Sequence, residues 1–308
     1  MRCFVTGASG FLGSHLTHLL LDEHCGVGVL VRESSDLWRI ADVATQLTIL
    51  RGDLGDVESF VSPLRDYAPE ALFHLAWSGV SRSRDELSQI DVNLHGTVGL
   101  LRALKDSGCQ CFVGLGSQAE YGSHNRAIHE ETSPHPESLY GAAKLCSGIL
   151  AQRLCNDFGV RFVWLRLFAA YGPKEDPHFL IPSVIRALLG GMRPALTPGR
   201  QRMDYLFVQD AVRALWMAAN RDHMNGVFNL GSGSATTVRE IAEMIRDLID
   251  PQLELGLGDL SDDPHQARLL QADIRRLQAA GWTPRVSFRD GLQQTIDWHR
   301  SFLHSTMR

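Results

Sequence analysis

The chain has 308 residues, of which 44% are apolar and 21% are charged, and these are ordinary values for a globular protein. Its formal net charge of −5 offers no basic surface to phosphate backbones or anionic lipids, so nucleic acid and membranes are not expected as partners. No apolar run approaches the ~18 residues that span a bilayer, and a strand that starts at residue 2 is expected to leave no room for a signal peptide.

The first predicted elements are a strand, a glycine-rich turn and a helix. Residues 2–6 form a short apolar run that leads into Gly7-Ala8-Ser9-Gly10-Phe11-Leu12-Gly13, and an apolar helical pattern follows. Gly7 allows a tight turn, Gly10 lets the backbone approach a phosphate, and Gly13 lets the helix lie close to the strand. The N-terminus of the helix offers free N–H groups and a positive dipole end. This order of elements predicts a pyrophosphate site for a dinucleotide.

Apolar runs typical of strands that are buried on both faces recur along the first half of the chain, with helical patterns between them. The predicted strands cover residues 2–6, 27–31, 47–50, 71–75, 111–115 and 161–165. Strands that alternate with helices predict a parallel, doubly wound α/β sheet of the Rossmann type. The strand ends at Thr6, Val31, Leu75 and Leu115 should line one crevice.

The sequence changes character after about residue 170, where a loop rich in proline, histidine and charge begins. Helices are predicted over 182–189, 212–219, 238–248, 274–280 and 291–302, and strands over 205–208 and 227–230. We therefore divide the chain into a dinucleotide-binding domain over residues 1–170 and a smaller C-terminal α/β lobe over residues 171–308. Segments near 205–230 are expected to return to the sheet, and the rest of the lobe is expected to bind substrate.

The end of the second predicted strand indicates which dinucleotide is bound. An NAD site usually has Asp or Glu there, bonded to the ribose 2′-OH. Here Arg32 follows Gly13 by 19 residues, at the place where a guanidinium meets a 2′-phosphate, and Ser34 and Ser35 can add donors. The neighbouring Glu33 leaves an NAD ribose as the alternative. We predict NADP(H), with NAD as the second choice.

Three residues are candidates for chemistry. Tyr140 and Lys144 are one turn apart in a predicted helix, so the phenol and the ammonium share a face. A nearby cation favours the phenolate, and an ammonium plus an oxidised nicotinamide ring can lower the pKa of Tyr140 by about three units. Ser117 ends the fifth strand at the crevice and can bond a substrate oxygen together with Tyr140. The alternatives are a surface Tyr/Lys pair and a serine that only caps a turn.

Ser117, Tyr140 and Lys144 behind a glycine-rich first turn resemble the short-chain dehydrogenase/reductase superfamily. The closest likeness is to its extended branch, the nucleotide-sugar epimerases, dehydratases and ketoreductases. The likeness covers nearly the whole chain, including Gly52-Asp53-Leu54, His74-Leu75-Ala76, Asp91-Val92-Asn93, Arg166-Leu167-Phe168, Tyr171-Gly172-Pro173 and Asn229-Leu230-Gly231. The resemblance implies that Asp53 and Leu54 contact adenine, although Asp53 has a helix N-cap as its alternative role. It also implies that Leu75 and Ala76 flank the cofactor phosphates and ribose, and that Lys144 holds the nicotinamide ribose.

Departures from the family pattern narrow the reaction. Dehydratases of the family carry an Asp-Glu pair after the catalytic serine or threonine, whereas this chain has Gln118 and Ala119, which transfer no proton at neutral pH. Dehydration is therefore not expected, and Ala119 also replaces the cysteine of the fucose-forming epimerase-reductases. Met203 stands where the family usually has an arginine, so Arg202 or Arg200 is expected to contact the substrate diphosphate.

These residues together predict an NADP(H)-dependent oxidoreductase that reduces the 4-keto group of an NDP-4-keto-hexose, with Tyr140 as the proton donor. The alternative is an NAD-dependent nucleotide-sugar 4-epimerase with the same trio, and a non-catalytic dinucleotide-binding regulator is a remote third. The expected cofactor residues are Gly7, Gly10, Phe11, Leu12, Gly13, Arg32, Ser34, Asp53, Leu54, Leu75, Ala76, Tyr140 and Lys144. The expected substrate residues are Ser117, Tyr140, His178 and Arg202.

Two further expectations concern assembly and location. The predicted helices near 86–107 and 140–158 carry long apolar faces, and the corresponding helices of the extended family form a dimer contact, so a homodimer is expected. The six cysteines are scattered and lack C-x-x-C spacing, so we expect a reduced, cytoplasmic protein without a metal site.

Overall fold

The computed structural model describes residues 1–80, 84–105, 107–262 and 268–306. Its strands are β1 (Arg2–Thr6), β2 (Gly26–Val31), β3 (Leu47–Arg51), β4 (Ala71–His74), β5 (Cys111–Ser117), β6 (Arg161–Leu167), β7 (Ala169–Tyr171), β8 (Ala195–Leu196), β9 (Arg202–Met203), β10 (Tyr205–Phe207), β11 (Gly226–Leu230), β12 (Thr236–Thr237), β13 (Gly256–Leu257) and β14 (Leu269–Leu270). Its α-helices are α1 (Phe11–Asp22), α2 (Val61–Tyr67), α3 (His95–Leu104), α4 (Leu139–Phe158), α5 (Leu180–Leu189), α6 (Val208–Asn220), α7 (Val238–Ile249), α8 (Arg275–Ala279) and α9 (Phe288–Thr306). Short 3₁₀ turns cover Ala41–Gln46, Val57–Ser59 and Gln118–Glu120, and a π-helical segment, Gln89–Leu94, runs directly into α3.

The central sheet is parallel and has the strand order β11-β6-β5-β4-β1-β2-β3. The six strands predicted in the first half of the chain are all in it, with bounds within two residues of the expectation. The strand order reverses between β1 and β4, and a ligand crevice forms at such a switch point outside the carboxyl ends of the strands. The expected Rossmann-type fold is confirmed.

Alternation along the strands places the core on both faces of the sheet. In β1, Cys3 and Val5 pack into one apolar cluster with Leu16 of α1, while Phe4 packs into another with Leu101 of α3. The three residues named in the first cluster and the two named in the second are essentially inaccessible to solvent. Since successive side chains of a strand point to opposite faces, a continuous apolar run is what a sheet covered by helices on both sides requires.

The second half of the chain departs from expectation at one strand. Residues 205–208 were expected to enter the central sheet, but β10 pairs in parallel with β7 in a separate two-stranded sheet. Only three residues are extended there, because α6 begins at Val208. Residues 227–230 do return to the central sheet, since β11 pairs with β6 at its edge. The division of the chain near residue 170 stays a prediction, and no helix within the described ranges is long and apolar enough to cross a bilayer.

Candidate active site

The turn between β1 and α1 is built from glycines where the backbone has no room for a side chain. Gly7 has a φ of +78°, and a Cβ on it would lie 2.7 Å from the amide nitrogen of Ala76, just after β4. A Cβ on Gly13 would lie 2.0 Å from the carbonyl oxygen of Gly7, so α1 packs directly on the turn. Gly10 is the N-cap of α1, and no side chain of the described residues caps this helix. Its first N–H groups are therefore open to an anion.

A cavity of about 240 Å³ opens beside this turn, and we call it the glycine-turn cleft. Its wall includes several residues expected to bind the cofactor, namely Gly7, Gly10, Arg32, Asp53, Leu54, Leu75 and Ala76. It also includes Val31 and Ser35, which the sequence placed at the crevice as a strand end and as a donor, and Val92 and Asn93, which belong to a motif of the family resemblance. Trp77 lines the wall too, together with Ser9, Leu30 and Ser78, which sequence reasoning missed. The other expected cofactor residues, Phe11, Leu12, Gly13, Ser34, Tyr140 and Lys144, lie outside this wall. The ends of β1, β2 and β4 thus meet at one crevice.

The loop after β2 folds back on itself at the cleft. The Arg32 N–H donates to the Ser35 hydroxyl, and the Ser35 N–H donates to the Arg32 carbonyl, both at 3.0 Å. Glu33 is exposed and forms a long ion pair of 3.9 Å with Arg51. Arg32 and Ser35 line the cleft, whereas Glu33 and Ser34 do not. The cation and a hydroxyl are therefore the groups that this loop presents to a ligand.

Asp53, which follows β3, closes a turn rather than capping a helix. Its Oδ1 accepts the N–H of Gly55 at 2.8 Å, and the next 3₁₀ turn has Asp56 at its N-cap. The helix N-cap considered as an alternative for Asp53 is therefore wrong. Leu54 beside it is pressed against α3, because a Cβ on Gly96 would lie 2.7 Å from the Leu54 carbonyl oxygen.

A chain of hydrogen bonds behind the cleft fixes the charge state of His74. The Thr97 hydroxyl donates to the Asn93 carbonyl at 2.8 Å, so its oxygen accepts the proton of His74 Nε2 at 2.9 Å. His74 Nδ1 then accepts the Thr6 hydroxyl at 2.9 Å, and the Thr6 oxygen accepts the N–H of Ala76 at 3.2 Å. Burial and a neighbouring ammonium lower the pKa of His74 to about 3. The ring is therefore neutral and ties β1 to β4.

The structure brings Ser117, Tyr140 and Lys144 together. Ser117 ends β5, and its side chain hydrogen-bonds the Tyr140 hydroxyl and also accepts the N–H of Ala119 at 3.2 Å. The serine thus caps its turn and contacts the phenol at the same time. The capping role and the role beside Tyr140, which the sequence analysis gave as alternatives, are therefore compatible. Lys144 Nζ donates to the carbonyl oxygen of Leu115 at 2.6 Å. The tyrosine and lysine are buried, which rules out a surface pair.

The start of α4 is held from two sides. Ser138 caps the helix with its side chain, and Asp85 Oδ1 accepts the N–H of Leu139 at 3.0 Å. The carbonyl oxygen of Arg84 accepts the N–H of Tyr140 at 2.7 Å, and the Arg84 guanidinium lies over the Tyr140 ring, 4.7 Å from its centroid. The segment at residues 84–85 therefore fixes the position of the phenol.

The titration of Tyr140 differs from the sequence expectation. Burial raises its pKa, and the hydrogen bond with Ser117 and the charge of Arg84 oppose this only in part. The Lys144 ammonium bonds the Leu115 carbonyl, and burial lowers the pKa of Lys144 to about 7. The expectation of a phenol made more acidic by its lysine neighbour is therefore wrong in this structure. Helical spacing showed that the two groups share a face, but it did not show that both are removed from water.

A family model described as "NAD dependent epimerase/dehydratase family" matches residues 3–231. The match covers the central sheet, the glycine turn, the trio and β11. The chain belongs to that family. The resemblance to extended short-chain dehydrogenases/reductases, expected from the motifs, is confirmed.

Two relatives of this epimerase/dehydratase family member are each 30% identical to it. The GDP-6-deoxy-D-mannose reductase of Pseudomonas aeruginosa aligns with 96% of this chain and 97% of its own length. The UDP-glucose 4-epimerase of Mycolicibacterium smegmatis aligns with 98% and 99%. Among solved structures, the UDP-glucose 4-epimerase of Thermotoga maritima with UDP-glucose superimposes with a TM-score of 0.90 at 26% identity, over 98% of this chain and 100% of its own. Other similar structures contain NAD. The chain is an enzyme of the family, and similarity alone does not separate reductase from epimerase.

A fully buried acid that the sequence did not indicate, Glu120, lies next to Ser117 of the trio. Glu120 Oε1 accepts the N–H of Ser117 at 2.9 Å and the indole N–H of Trp164 at 3.0 Å. Its Oε2 accepts Arg166 Nε at 2.6 Å. The carboxylate also opposes the loss of charge from Lys144. The sequence signal for Glu120 was a charged residue shortly after an apolar strand. Its partners Trp164 and Arg166 lie on β6, far along the chain, so this signal did not identify them.

The substrate residues expected from the C-terminal lobe are not brought to the trio. His178 is exposed, and its Nδ1 lies 2.7 Å from the Asp176 carboxylate. Arg202 is exposed and donates to the Ala235 carbonyl at 2.9 Å. Within the described ranges, neither side chain contacts the trio. Arg82, which follows β4 in the chain, lies outside the described residues.

Proposed function

We propose that the protein is an NADP(H)-dependent oxidoreductase that reduces the 4-keto group of a nucleotide-linked 4-keto-hexose. The observation that carries this proposal is the Tyr140 phenol, buried and hydrogen-bonded to Ser117. Because burial raises its pKa, Tyr140 holds its proton at neutral pH, which is the form that donates a proton to a carbonyl oxygen. A 4-epimerase begins by taking a proton from a sugar hydroxyl, and that step requires the phenolate.

The contacts of the trio support one role for each residue. Tyr140 gives its proton to the carbonyl oxygen, and Ser117 hydrogen-bonds the same oxygen and keeps the phenol aligned with it. By the family resemblance, Lys144 would hold the cofactor ribose. NADPH, when bound, supplies the hydride that reaches the carbonyl carbon.

The residues of the glycine-turn cleft fit a dinucleotide. The turn has no room for a side chain at Gly7 and Gly13, and the N-terminus of α1 is open to a pyrophosphate. Arg32 and Ser35 line the cleft, while Glu33 lies outside its wall and pairs with Arg51. A guanidinium and a hydroxyl suit a 2′-phosphate, whereas an NAD site uses an acid there. This supports NADP(H), and the NAD bound in similar structures keeps NAD as the alternative.

The residues after Ser117 argue against dehydration. Gln118 and Ala119 occupy the positions of the acid and base that dehydratases of the family use. Glu120 is the next acid along the chain, but it is inaccessible to solvent and holds Arg166 in an ion pair. A carboxylate committed to a buried guanidinium does not exchange protons with a substrate.

The proposed function is tested by incubating the purified protein with NADPH and GDP-, UDP- or dTDP-linked 4-keto-6-deoxyhexoses. We expect NADPH absorbance to fall with one of these substrates, and a 4-hydroxy sugar nucleotide to appear in equal amount by mass spectrometry. Tyr140→Phe should bind NADPH as the wild type does and leave the substrate unreduced. If NADPH is never oxidised by any 4-keto sugar nucleotide, the reductase assignment fails.

The alternatives give different results in the same experiment. A 4-epimerase, which the similarity to the two named epimerases supports, would purify with NAD bound and interconvert UDP-hexoses with no net change of cofactor. A non-catalytic dinucleotide-binding regulator would be indifferent to Tyr140→Phe in every assay. The intact trio argues against that reading.

We also propose that the protein is a homodimer through the π-helical segment with α3 and through α4. Apolar side chains near these elements are exposed, namely Leu87 at 67%, Ile149 at 58% and Leu150 at 40%. Burying them against a second copy removes that apolar surface from water. Light scattering at micromolar concentration should give twice the mass of the chain, and a purely monomeric sample would refute the proposal.

A further inference from the structure

Trp77 lies between the glycine-turn cleft and the catalytic trio. The indole is part of the cleft wall, and its face covers Lys144, with Nζ 3.7 Å from the ring centroid. Its plane stands at 89° to the Tyr140 ring, with the two centroids 6.1 Å apart. From the sequence, Trp77 follows the fourth strand near the substrate mouth, and an exposed loop residue was the favoured interpretation; the family motif that the sequence matched ends at Ala76.

The orientation of the indole is fixed from the π-helical segment. Trp77 Nε1 donates to Gln89 Oε1 at 2.8 Å, and Gln89 Nε2 donates to the carbonyl oxygens of Ser78 and Gly79, each at 3.2 Å. Asn93 Nδ2 donates to the same Gln89 oxygen at 3.1 Å. Because both ends of the Gln89 amide are held, the indole keeps its face toward Lys144.

Lys144 needs such a partner because its charge is buried. The side chain is 3% exposed, and among the described residues it makes one hydrogen bond, to the Leu115 carbonyl. Burial lowers the pKa of Lys144 to about 7, and the charge of Glu120 acts in the opposite direction. Of the other titratable groups around it, His74 on β4 is neutral and Tyr140 on its own helix holds its proton.

An aromatic face attracts an ammonium because the ring carries negative charge above its plane, and the attraction is larger when water is excluded. We propose that Trp77 is a positioning residue of this site, whose indole holds the Lys144 side chain beside the cleft and keeps its ammonium charged. Glu120 acts on Lys144 through charge, whereas Trp77 acts on Lys144 by direct contact. The catalytic meaning of this contact rests on the proposed function. The contact itself is measurable without turnover.

The test uses the small number of lysines in the chain. Only Lys105, Lys144 and Lys174 occur, so lysine labelled with carbon-13 at Cε gives three side-chain signals, which Lys105→Arg and Lys174→Arg assign. The Lys144 signal of the wild type should titrate at a pKa of about 7. Trp77→Leu removes the aromatic face and should lower that pKa by about one unit. Trp77→Phe keeps a face and should restore the pKa to within about a third of a unit of the wild type.

Far-UV circular dichroism and the melting temperature identify variants that fold, and Trp77→Met replaces Trp77→Leu should the latter not fold. An unchanged Lys144 titration in a folded Leu or Met variant overturns the proposal. Equal shifts in the Phe and Leu variants also overturn it, because the lost Gln89 hydrogen bond would then be the cause. A failed proposed function is distinguishable, since in that case no keto sugar is reduced while the Lys144 pKa still falls in Trp77→Leu.

Discussion

Replacing Glu120 by Gln separates the charge of this buried acid from its hydrogen bonds. The amide oxygen of Gln still accepts the N–H groups of Ser117 and Trp164, which now bond Oε1 at 2.9 and 3.0 Å. What disappears is the negative charge facing Arg166, whose Nε lies 2.6 Å from Oε2. Arg166 is 7% exposed, so its charge is left in the interior without a counter-ion. Removing one partner of such a pair costs about 3 kcal/mol or more, so the free energy of unfolding of Glu120→Gln should fall by about 3 kcal/mol.

Urea unfolding followed by circular dichroism measures this loss, and a double-mutant cycle assigns it to the pair. Arg166→Met alone should lose a similar amount, since it leaves the Glu120 carboxylate unpaired. The double variant should lie within about 1 kcal/mol of the wild type, because no uncompensated charge then remains. If the two single losses simply add in the double variant, the electrostatic reasoning is refuted and packing explains both.

The remaining predictions concern turnover, the glycine turn, the cofactor and pH. Tyr140→Phe should lower kcat by at least about a hundredfold and leave the Kd for NADPH within about twofold by calorimetry. The Cβ of Gly13→Ala would lie only 2.0 Å from the Gly7 carbonyl oxygen, so this variant should abolish NADPH binding and lower the Tm. The Cβ of Gly10→Ala would lie 3.1 Å from the same oxygen, so both effects should be smaller. Arg32→Ala should raise KM for NADPH about tenfold or more and leave KM for NADH unchanged, and equal effects on both would exclude a 2′-phosphate contact. Because burial lowers the pKa of Lys144 to about 7, its ammonium loses a proton as pH rises through that value, and kcat/KM should fall above pH 7. A kcat/KM that stays level across this range would show that Lys144 has no part in the reaction.

The parts of this site that the sequence predicted depend on local patterns. A strand, three glycines and a helix can be seen within thirteen residues, and the packing of Gly13 on Gly7 follows from the same short segment. Tyr140 and Lys144 share a face because of helical spacing alone. The parallel direction of β1 to β6 also follows from alternation of strands and helices, since parallel neighbours need a crossover between them, whereas the strand order of the sheet was not predicted.

The parts that the sequence did not predict depend on pairing across the chain. Glu120 is held by Trp164 and Arg166 on β6, and no spacing rule connects an acid to residues more than forty positions ahead. The segment at 205–208 has the composition of a strand, yet only the folded chain shows that its partner is β7 and not the central sheet. Burial reversed the expected pKa direction of Tyr140 for the same reason, because helical spacing says which groups are neighbours but not how much water remains around them.

The electrostatics of the trio favour a site that gives a proton over one that takes a proton. Burial raises the pKa of Tyr140 and lowers that of Lys144, so both shifts favour the neutral form of their group. The consequence differs between the two residues. Tyr140 is neutral when its phenol carries a proton, whereas Lys144 is neutral when its amine has lost one. Glu120 favours the protonated form of both, since its negative charge raises the pKa of Tyr140 and opposes the fall for Lys144. The Glu120 carboxylate therefore keeps both Tyr140 and Lys144 protonated up to a higher pH than burial alone would allow. The proposed reductase would use the Tyr140 proton at each turnover, whereas the alternative epimerase would need that proton removed first.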